Sequence, residues 1–246
     1  MTESVDQYDQ VATTFADVEA VISFVRENLE WPSFQELLGD LSGLRVLDVG
    51  CGEGSFTRRI KQLGAAQVVG TDLSPGMIAL AEQAEARNPQ GITYEVQDLA
   101  TMPPQGEFDV VTAIHVLHYA DTRKTMQTMA NTMQANLKPG GRLVVLSANA
   151  DSSEESETAA GFRTHRPANP QEGDKFKVAV LTTPPTEIEV HHWPTATIVD
   201  VLRTAGFTNI AWAPVKPSAT VAPADQDRAA RCAKNPTSLT LTATKP

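Results

Sequence analysis

From residue 45 to residue 148 the chain alternates between two hydrophobic periods. Short runs rich in β-branched residues, at Arg45–Val49, Gln67–Thr71, Ile92–Val96, Phe108–Ile114 and Arg142–Ser147, predict strands. Phe108–Ile114 is nearly continuous in apolar character, as a strand covered on both faces would be. Between these runs, Ser55–Leu63, Pro75–Arg87 and Thr122–Leu137 carry helical spacing. Ser74 is a good N-cap with Pro75 at the first helical position, and Lys138-Pro139-Gly140-Gly141 breaks the third helix. Repeated strand–helix–strand units predict an α/β, doubly wound, Rossmann-like parallel sheet with helices on both faces.

The flanks read differently. Val11, Phe15, Val18, Val21, Ile22, Val25 and Leu29 fall at helical spacing, which predicts one helix capped by Asp6 or Asp9 and ended by Trp31-Pro32. Phe34, Leu37, Leu38 and Leu41 form a second short apolar face. After residue 149, the run Asp151–Glu157 predicts a solvated acidic segment. Phe176–Leu181 and Thr186–His192 alternate around Pro184-Pro185, which predicts a hairpin or flap. Thr195–Ala205 predicts a helix, Asp225–Ala233 a short one, and Phe207–Ala213 and Ser238–Ala243 the final strands. The expected organisation is a single domain over 1–246. Its parts are an N-terminal helical lid (1–42), a ligand-binding core (43–148), a flap over a second ligand (149–194) and a C-terminal helix with the last strands (195–246).

Composition narrows the function. A formal charge of −10 argues against a nucleic-acid partner, whose phosphates demand a basic face. Cys51 and Cys232 lie too far apart in sequence for metal-ligand spacing or a disulfide framework, so a reducing cytoplasm and no metal are expected. No signal peptide and no apolar run of membrane-spanning length is visible. The expected partner is a small molecule, with the protein a monomer or homodimer.

The candidate chemistry starts at Asp48-Val49-Gly50-Cys51-Gly52-Glu53-Gly54. A buried strand ending in a glycine turn at a helix N-terminus lets a ligand approach backbone N–H groups closely. The third glycine comes one residue sooner than in the dinucleotide fingerprint, and Asp72 ends the next strand, where a carboxylate can accept both ribose hydroxyls.

With Val69–Ser74, Val96-Gln97-Asp98-Leu99, Phe108-Asp109-Val110-Val111 and Leu137–Arg142, the order of motifs resembles the class I S-adenosylmethionine-dependent methyltransferases. The resemblance covers 45–147. It implies a seven-stranded sheet with an antiparallel final strand and S-adenosylmethionine across the C-terminal strand ends. Gly50 and Gly52 would then face the methionine part and Asp72 the ribose. Leu73 and Met77 would flank the adenine, with Asp98 and Leu99 at its amino edge; Asp48, Cys51, Gln97 and Ile114 complete the implied set. Cys51 reads as a packing residue rather than a nucleophile. Asn28–Pro32, Tyr8, Gly161-Phe162, His192-Trp193 and Ala205–Phe207 are also similar to a group of small-molecule methyltransferases that includes toxoflavin-type azapteridine N-methyltransferases. That group commonly has an aromatic residue or Asn at the end of strand four, where this chain has His115.

The resemblance implies methyl transfer to N or O of a small (hetero)aromatic metabolite in natural-product biosynthesis. In-line transfer needs alignment, and a base helps when the acceptor is a hydroxyl or a weakly acidic ring N–H. Candidates for chemistry are His115, Tyr8, His191 and His192, of which strand alternation sends only one of the last two inward. His118 reads as a structural residue and His165 as solvent-facing. Tyr8, Trp31, His115, Phe162 and Trp193 would line a mixed aromatic pocket. Two other readings compete: a non-methylating enzyme such as a cyclase on the same fold, and a nicotinamide-dependent oxidoreductase.

Overall fold

The structure, a computed structural model, describes residues 2–246, with side chains described from Gln7 onward; the candidate cap Asp6 lies outside them. Seven strands form one sheet in the order β3-β2-β1-β4-β5-β10-β9. They are β1 Arg45–Val49, β2 Gln67–Asp72, β3 Thr93–Val96, β4 Phe108–Ile114, β5 Leu137–Ala148, β9 Thr208–Pro214 and β10 Ser238–Thr244. β1 pairs in parallel with β2 and β4, and β4 with β5, whereas β10 runs antiparallel to both β5 and β9. The order reverses between β1 and β4, so the C-terminal ends of these two strands flank the crevice where doubly wound sheets bind ligands.

Period-two alternation sorts the strand side chains into two cores. Leu47, Val49, Val111, Leu143 and Val145 pack with Met126, Met129 and Met133 of α6 (Arg123–Ala135) and with Ile198 and Val201 of α8 (Thr195–Thr204). Val46, Val68, Val110 and Leu146 face Phe34 and Leu38 of α3 (Trp31–Leu38), Phe56 and Ile60 of α4 (Ser55–Gln62), and Ile78 and Ala81 of α5 (Pro75–Arg87). Apolar side chains on alternate faces of a buried strand need exactly such cover on both sides. Lys138-Pro139-Gly140-Gly141 falls within the bounds of β5 rather than ahead of it. A register shift between Phe108 and Val110 absorbs the extra residues, and Lys138 pairs with Asp109.

The N-terminal region differs from the single helix expected. It divides into α1 (Thr2–Ala12) and α2 (Phe15–Val25), followed by a wide π turn, Arg26–Glu30, that runs into α3. Trp31-Pro32 opens α3 instead of ending a helix, because proline is tolerated in a first turn. Asp9 caps nothing in its own helix; its carboxylate accepts hydrogen bonds from Ser74 Oγ and Gly76 N and so latches α1 onto the start of α5.

Beyond β5, α7 (Glu154–Ala160) replaces the expected solvated run, and Glu157 is 6% exposed. β6 (Phe162–His165), β7 (Lys175–Val180) and β8 (Thr186–His191) form a separate antiparallel sheet, so the expected hairpin gains a third strand. Trp193 Nε1 donates to Ala120 O at 3.0 Å and anchors the flap to the core. α9 (Gln226–Ala233) precedes β10.

Candidate active site

The glycine turn after β1 is built for close approach. Gly50 has φ +66°, and a Cβ there would stand 2.4 Å from Val116 Cγ2. Gly52 has φ +55°, with open space where a Cβ would be. Asp72, at the end of β2, accepts from Gly52 N at 2.8 Å through Oδ2 and from Ser74 N at 2.9 Å through Oδ1. Each carboxylate oxygen keeps acceptor capacity after one backbone bond, enough for a pair of vicinal hydroxyls. Asp98 spends Oδ1 on Ala100 N at 2.8 Å, and Gln97 N donates to Asp72 O at 2.8 Å, which brings β3's end beside Asp72. Leu73, Gln97 and Asp98 are half-buried here. An open glycine cradle, a carboxylate with spare lone pairs and a second carboxylate beyond it fit an adenosine-bearing cofactor.

Five members of the implied cofactor set are engaged in the packing of the core. Asp48 is fully buried, and its carboxylate accepts from Thr57 Oγ1 at 2.6 Å and Thr112 Oγ1 at 2.7 Å, tying β1 to α4 and β4. Met77 packs with Val11, Val18, Ile22 and Val180, under α1 and α2, and is 1% exposed. Leu99 belongs to the core on the α6 side, and Ile114 packs against the other core. Cys51 is buried, its N–H bonds Thr71 O at 2.9 Å, and burial, reinforced by Asp72, holds its thiol well above the usual range. It is a packing residue, and both cysteines are free.

Burial pushes the Asp48 carboxyl up from 3.8 to about 6, against the two threonine hydrogen bonds. A raised carboxyl means that the folded chain binds more protons than the unfolded one between those values, so stability falls as pH rises through that window. This group alone is expected to remove roughly 3 kcal/mol between pH 4 and pH 7. Urea unfolding across that range should show a flatter profile for Asp48→Asn than for the wild type. Identical slopes would show that Asp48 ionises as freely in the folded chain as in the unfolded one.

Next to the cradle lies a cavity of about 190 Å³, walled by α1, α2, the flap and the ends of β4, β5 and β10. Of the aromatic residues expected there, Tyr8, His115, Phe162 and Trp193 line it. Trp31 does not: it packs 5.7 Å from Phe56 and under the Arg59 guanidinium, because α3 turns that face toward α4. The Tyr8 hydroxyl pairs with that of Tyr119. Burial pushes Tyr8 up to about 12 despite the Tyr119 bond, so it remains a phenol that can donate but not a base at neutral pH. Both His191 and His192 line the cavity. Alternation would admit only one, but β8 ends at His191 and the rule stops with the strand. His118 also lines it, 9% exposed, and burial pushes it down to about 3, which makes it a neutral imidazole. His165 is exposed.

The residue that sequence reasoning missed is Glu30. The wide turn Arg26–Glu30 carries it inward, 3% exposed, against His115 and β10. Its Oε1 accepts from Ser238 Oγ at 2.6 Å and lies 3.1 Å from His115 Nε2. Burial would raise the Glu30 carboxyl, but the charge of His115 and the hydrogen bonds from His115 and Ser238 outweigh it and hold it below the usual range. An ionised carboxylate only accepts, so Nε2 is the ring nitrogen that donates to it. His115 itself has φ +55°, rare for a residue with a side chain. Among the described residues no cluster of His, Cys, Asp or Glu could hold a metal ion.

Residues 46–141 match the family described as Methyltransferase domain. Over 113 residues the chain is 40% identical to a ubiquinone biosynthesis O-methyltransferase from Bradyrhizobium sp. (strain ORS 278), an alignment that covers 46% of this chain and 43% of that protein. The chain thus spans less than half the length of this curated relative. An S-adenosylmethionine-dependent methyltransferase from Mesorhizobium loti superposes with a TM-score of 0.64 at 27% identity, covering 88% of this chain and 97% of that one. A [4+2]-cyclase shares the fold, with a TM-score of 0.58, 22% identity and coverage of 87% and 79%. S-adenosylmethionine is the cofactor of this family, and the cradle around Gly52 and Asp72 suits it. By the match at residues 46–141 and by its fold, the chain carries a methyltransferase domain and resembles the S-adenosylmethionine-dependent methyltransferases.

Proposed function

We propose that the whole chain methylates a ring N–H or hydroxyl of a small, flat (hetero)aromatic metabolite, with His115 as the base that receives its proton. The observation that carries this reading is the Glu30–His115 pair, set in a largely apolar cavity beside the cofactor cradle. When bound, the cofactor supplies an electrophilic methyl group and leaves as S-adenosylhomocysteine. Gly50 and Gly52 admit it, Asp72 would hold its ribose, and Asp98 the adenine edge.

The remaining work falls to the cavity. Aromatic and aliphatic walls orient a planar acceptor and exclude water, so that the acceptor atom meets the methyl group in line. His115 Nδ1 accepts the proton that the acceptor N or O loses, while Glu30 fixes the tautomer and balances the imidazolium so formed. Of the paired Tyr8 and Tyr119 hydroxyls, the one that accepts within the pair keeps its hydrogen to donate to a ligand. Natural-product biosynthesis in a reducing cytosol would suit such a cavity and two free thiols. Among the described residues no helix is long and apolar enough to cross a membrane.

A non-methylating role is the second reading. It is favoured by the [4+2]-cyclase, whose likeness at 22% identity speaks for the fold alone. Product mass separates the two after incubation with S-adenosylmethionine and a panel of phenols and ring N–H heterocycles. A gain of one methyl group with release of S-adenosylhomocysteine is expected. Calorimetric failure to bind S-adenosylhomocysteine would sink the methyltransferase reading, as would a product of unchanged mass.

A further inference from the structure

The cavity is polar in one unexpected respect. Four nitrogens of its lining residues (His118 Nδ1, His191 Nδ1, His192 Nδ1 and Arg166 Nε) are buried and have no hydrogen-bond partner among the described residues. Buried polar atoms are normally satisfied, and the exceptions call for an explanation. A histidine can present either a donor or an acceptor at Nδ1, so three of the four accept several chemistries. Arg166 cannot. Its guanidinium is always protonated, so Nε–H is a donor and nothing else.

Both terminal nitrogens of Arg166 are engaged. Nη1 donates to Ser152 O at 3.1 Å, and Nη2 donates to Ser152 Oγ at 2.6 Å and to Glu157. Glu157 is held in turn by Ser152 Oγ at 2.8 Å and by Thr164 N at 3.1 Å. This network fixes the guanidinium plane, and with it the direction of Nε–H. Glu157 neutralises the charge, so the site does not call for an anion. Arg166 and Ser152, joined by these bonds, place the unpartnered donor in one region of the cavity lining. That region belongs to the flap and to the chain just after β5, whereas His115 stands at the end of β4, braced by Glu30 and Ser238.

We propose that Arg166 Nε forms a recognition subsite for a carbonyl oxygen on an uncharged heteroaromatic acceptor, distinct from the His115 end where the methyl group is received. The subsite rests on the methyltransferase reading only in calling the ligand the acceptor. It selects among flat molecules of similar size: a ring carbonyl satisfies Nε–H, while a hydrocarbon edge leaves that donor buried and unpaired. Discrimination by an unpaired buried donor exceeds what shape alone gives.

The test compares 7-hydroxycoumarin with 2-naphthol. Both are flat bicyclic phenols, but only the first has a carbonyl. Calorimetry at pH 6.5, with and without S-adenosylhomocysteine, should show the coumarin binding about 10–100-fold tighter, the range expected for one hydrogen bond to a charged donor. In Arg166→Met/Glu157→Gln, which removes both charges so that neither is stranded, the ratio should fall to within about twofold. A wild-type crystal soaked with 7-hydroxycoumarin gives an independent reading if the variant does not fold, with the carbonyl oxygen expected within about 3.2 Å of Arg166 Nε. Equal affinities in the wild type, binding of neither probe, a ratio that survives in the variant, or a carbonyl placed elsewhere would each overturn the subsite. S-adenosylhomocysteine binding is measured in the same titrations. Its loss would count against the methyltransferase reading instead, because the probe ratio is read without it as well.

Discussion

Replacing His115 by alanine is expected to lower kcat/KM by about 10²–10⁴-fold, the usual contribution of a positioned base, while affinity for S-adenosylhomocysteine stays within about twofold. The separation follows from the geometry. His115 lines the acceptor cavity and bonds Glu30, whereas the cradle is made by Gly50, Gly52 and Asp72. Glu30→Gln keeps an oxygen for Ser238 and for His115 Nε2–H but removes the charge that balances an imidazolium. It should lower kcat by about tenfold with KM nearly unchanged, the mark of an interaction that matters in the transition state. His115→Gly offers a further check, since glycine relieves the +55° φ: it should be as inactive as the alanine variant but more stable to urea. A His115→Ala enzyme at wild-type rate would remove the base from the mechanism. One that lost cofactor binding would move His115 to the cradle.

Gly50→Ala should destabilise the apo protein by roughly 2–5 kcal/mol, because two penalties coincide. A Cβ at this position meets Val116 Cγ2 at 2.4 Å, and the backbone has φ +66°. The two can be separated. Val116→Ala in the same chain should recover the steric part and leave about 1–2 kcal/mol of left-handed strain. Urea unfolding reads the stability, and S-adenosylhomocysteine titration of the folded fraction reads the cradle, where affinity should drop together with stability. If Gly50→Ala cost less than about 0.5 kcal/mol, as neutral surface substitutions do, the turn would be softer than its geometry implies.

The cofactor side was far more legible in the sequence than the acceptor side. The turn Gly50–Gly54, Asp72 and the Gln97-Asp98 pair are local features, each a few residues at the end of one strand. They announce themselves because a tight turn and a strand terminus depend on neighbours in sequence. Asp48 and Met77 show the limit of that reasoning. Both stand in the right motif, yet Asp48 points between Thr57 and Thr112 and Met77 into the layer under α1 and α2. A motif fixes a residue's place in the chain, but alternation and packing decide which way its side chain turns.

Glu30 and Arg166 had no local signal. Glu30 ends the largely polar run Arg26–Glu30 before Trp31-Pro32 and turns inward because the helix widens there. Its partners, His115 and Ser238, are 85 and 208 residues away in sequence. Glu157 read as part of a solvated acidic run, since nothing in Asp151–Glu157 reveals that α7 will bury one carboxylate against Arg166 of the flap.

By itself, then, the sequence determined the alternating strands and helices, the parallel sheet they build, and the glycine turn after β1. These follow from hydrophobic period and from backbone conformations only glycine adopts readily, both written in short stretches of chain. The tertiary structure alone decided the acceptor cavity: which histidines face it, that a carboxylate from the N-terminal layer braces one of them, and that a guanidinium from the flap keeps one donor unpaired. Each of these needs segments far apart in sequence to be brought within hydrogen-bond distance, and only the closed packing of α1, α2, the flap and the sheet does that.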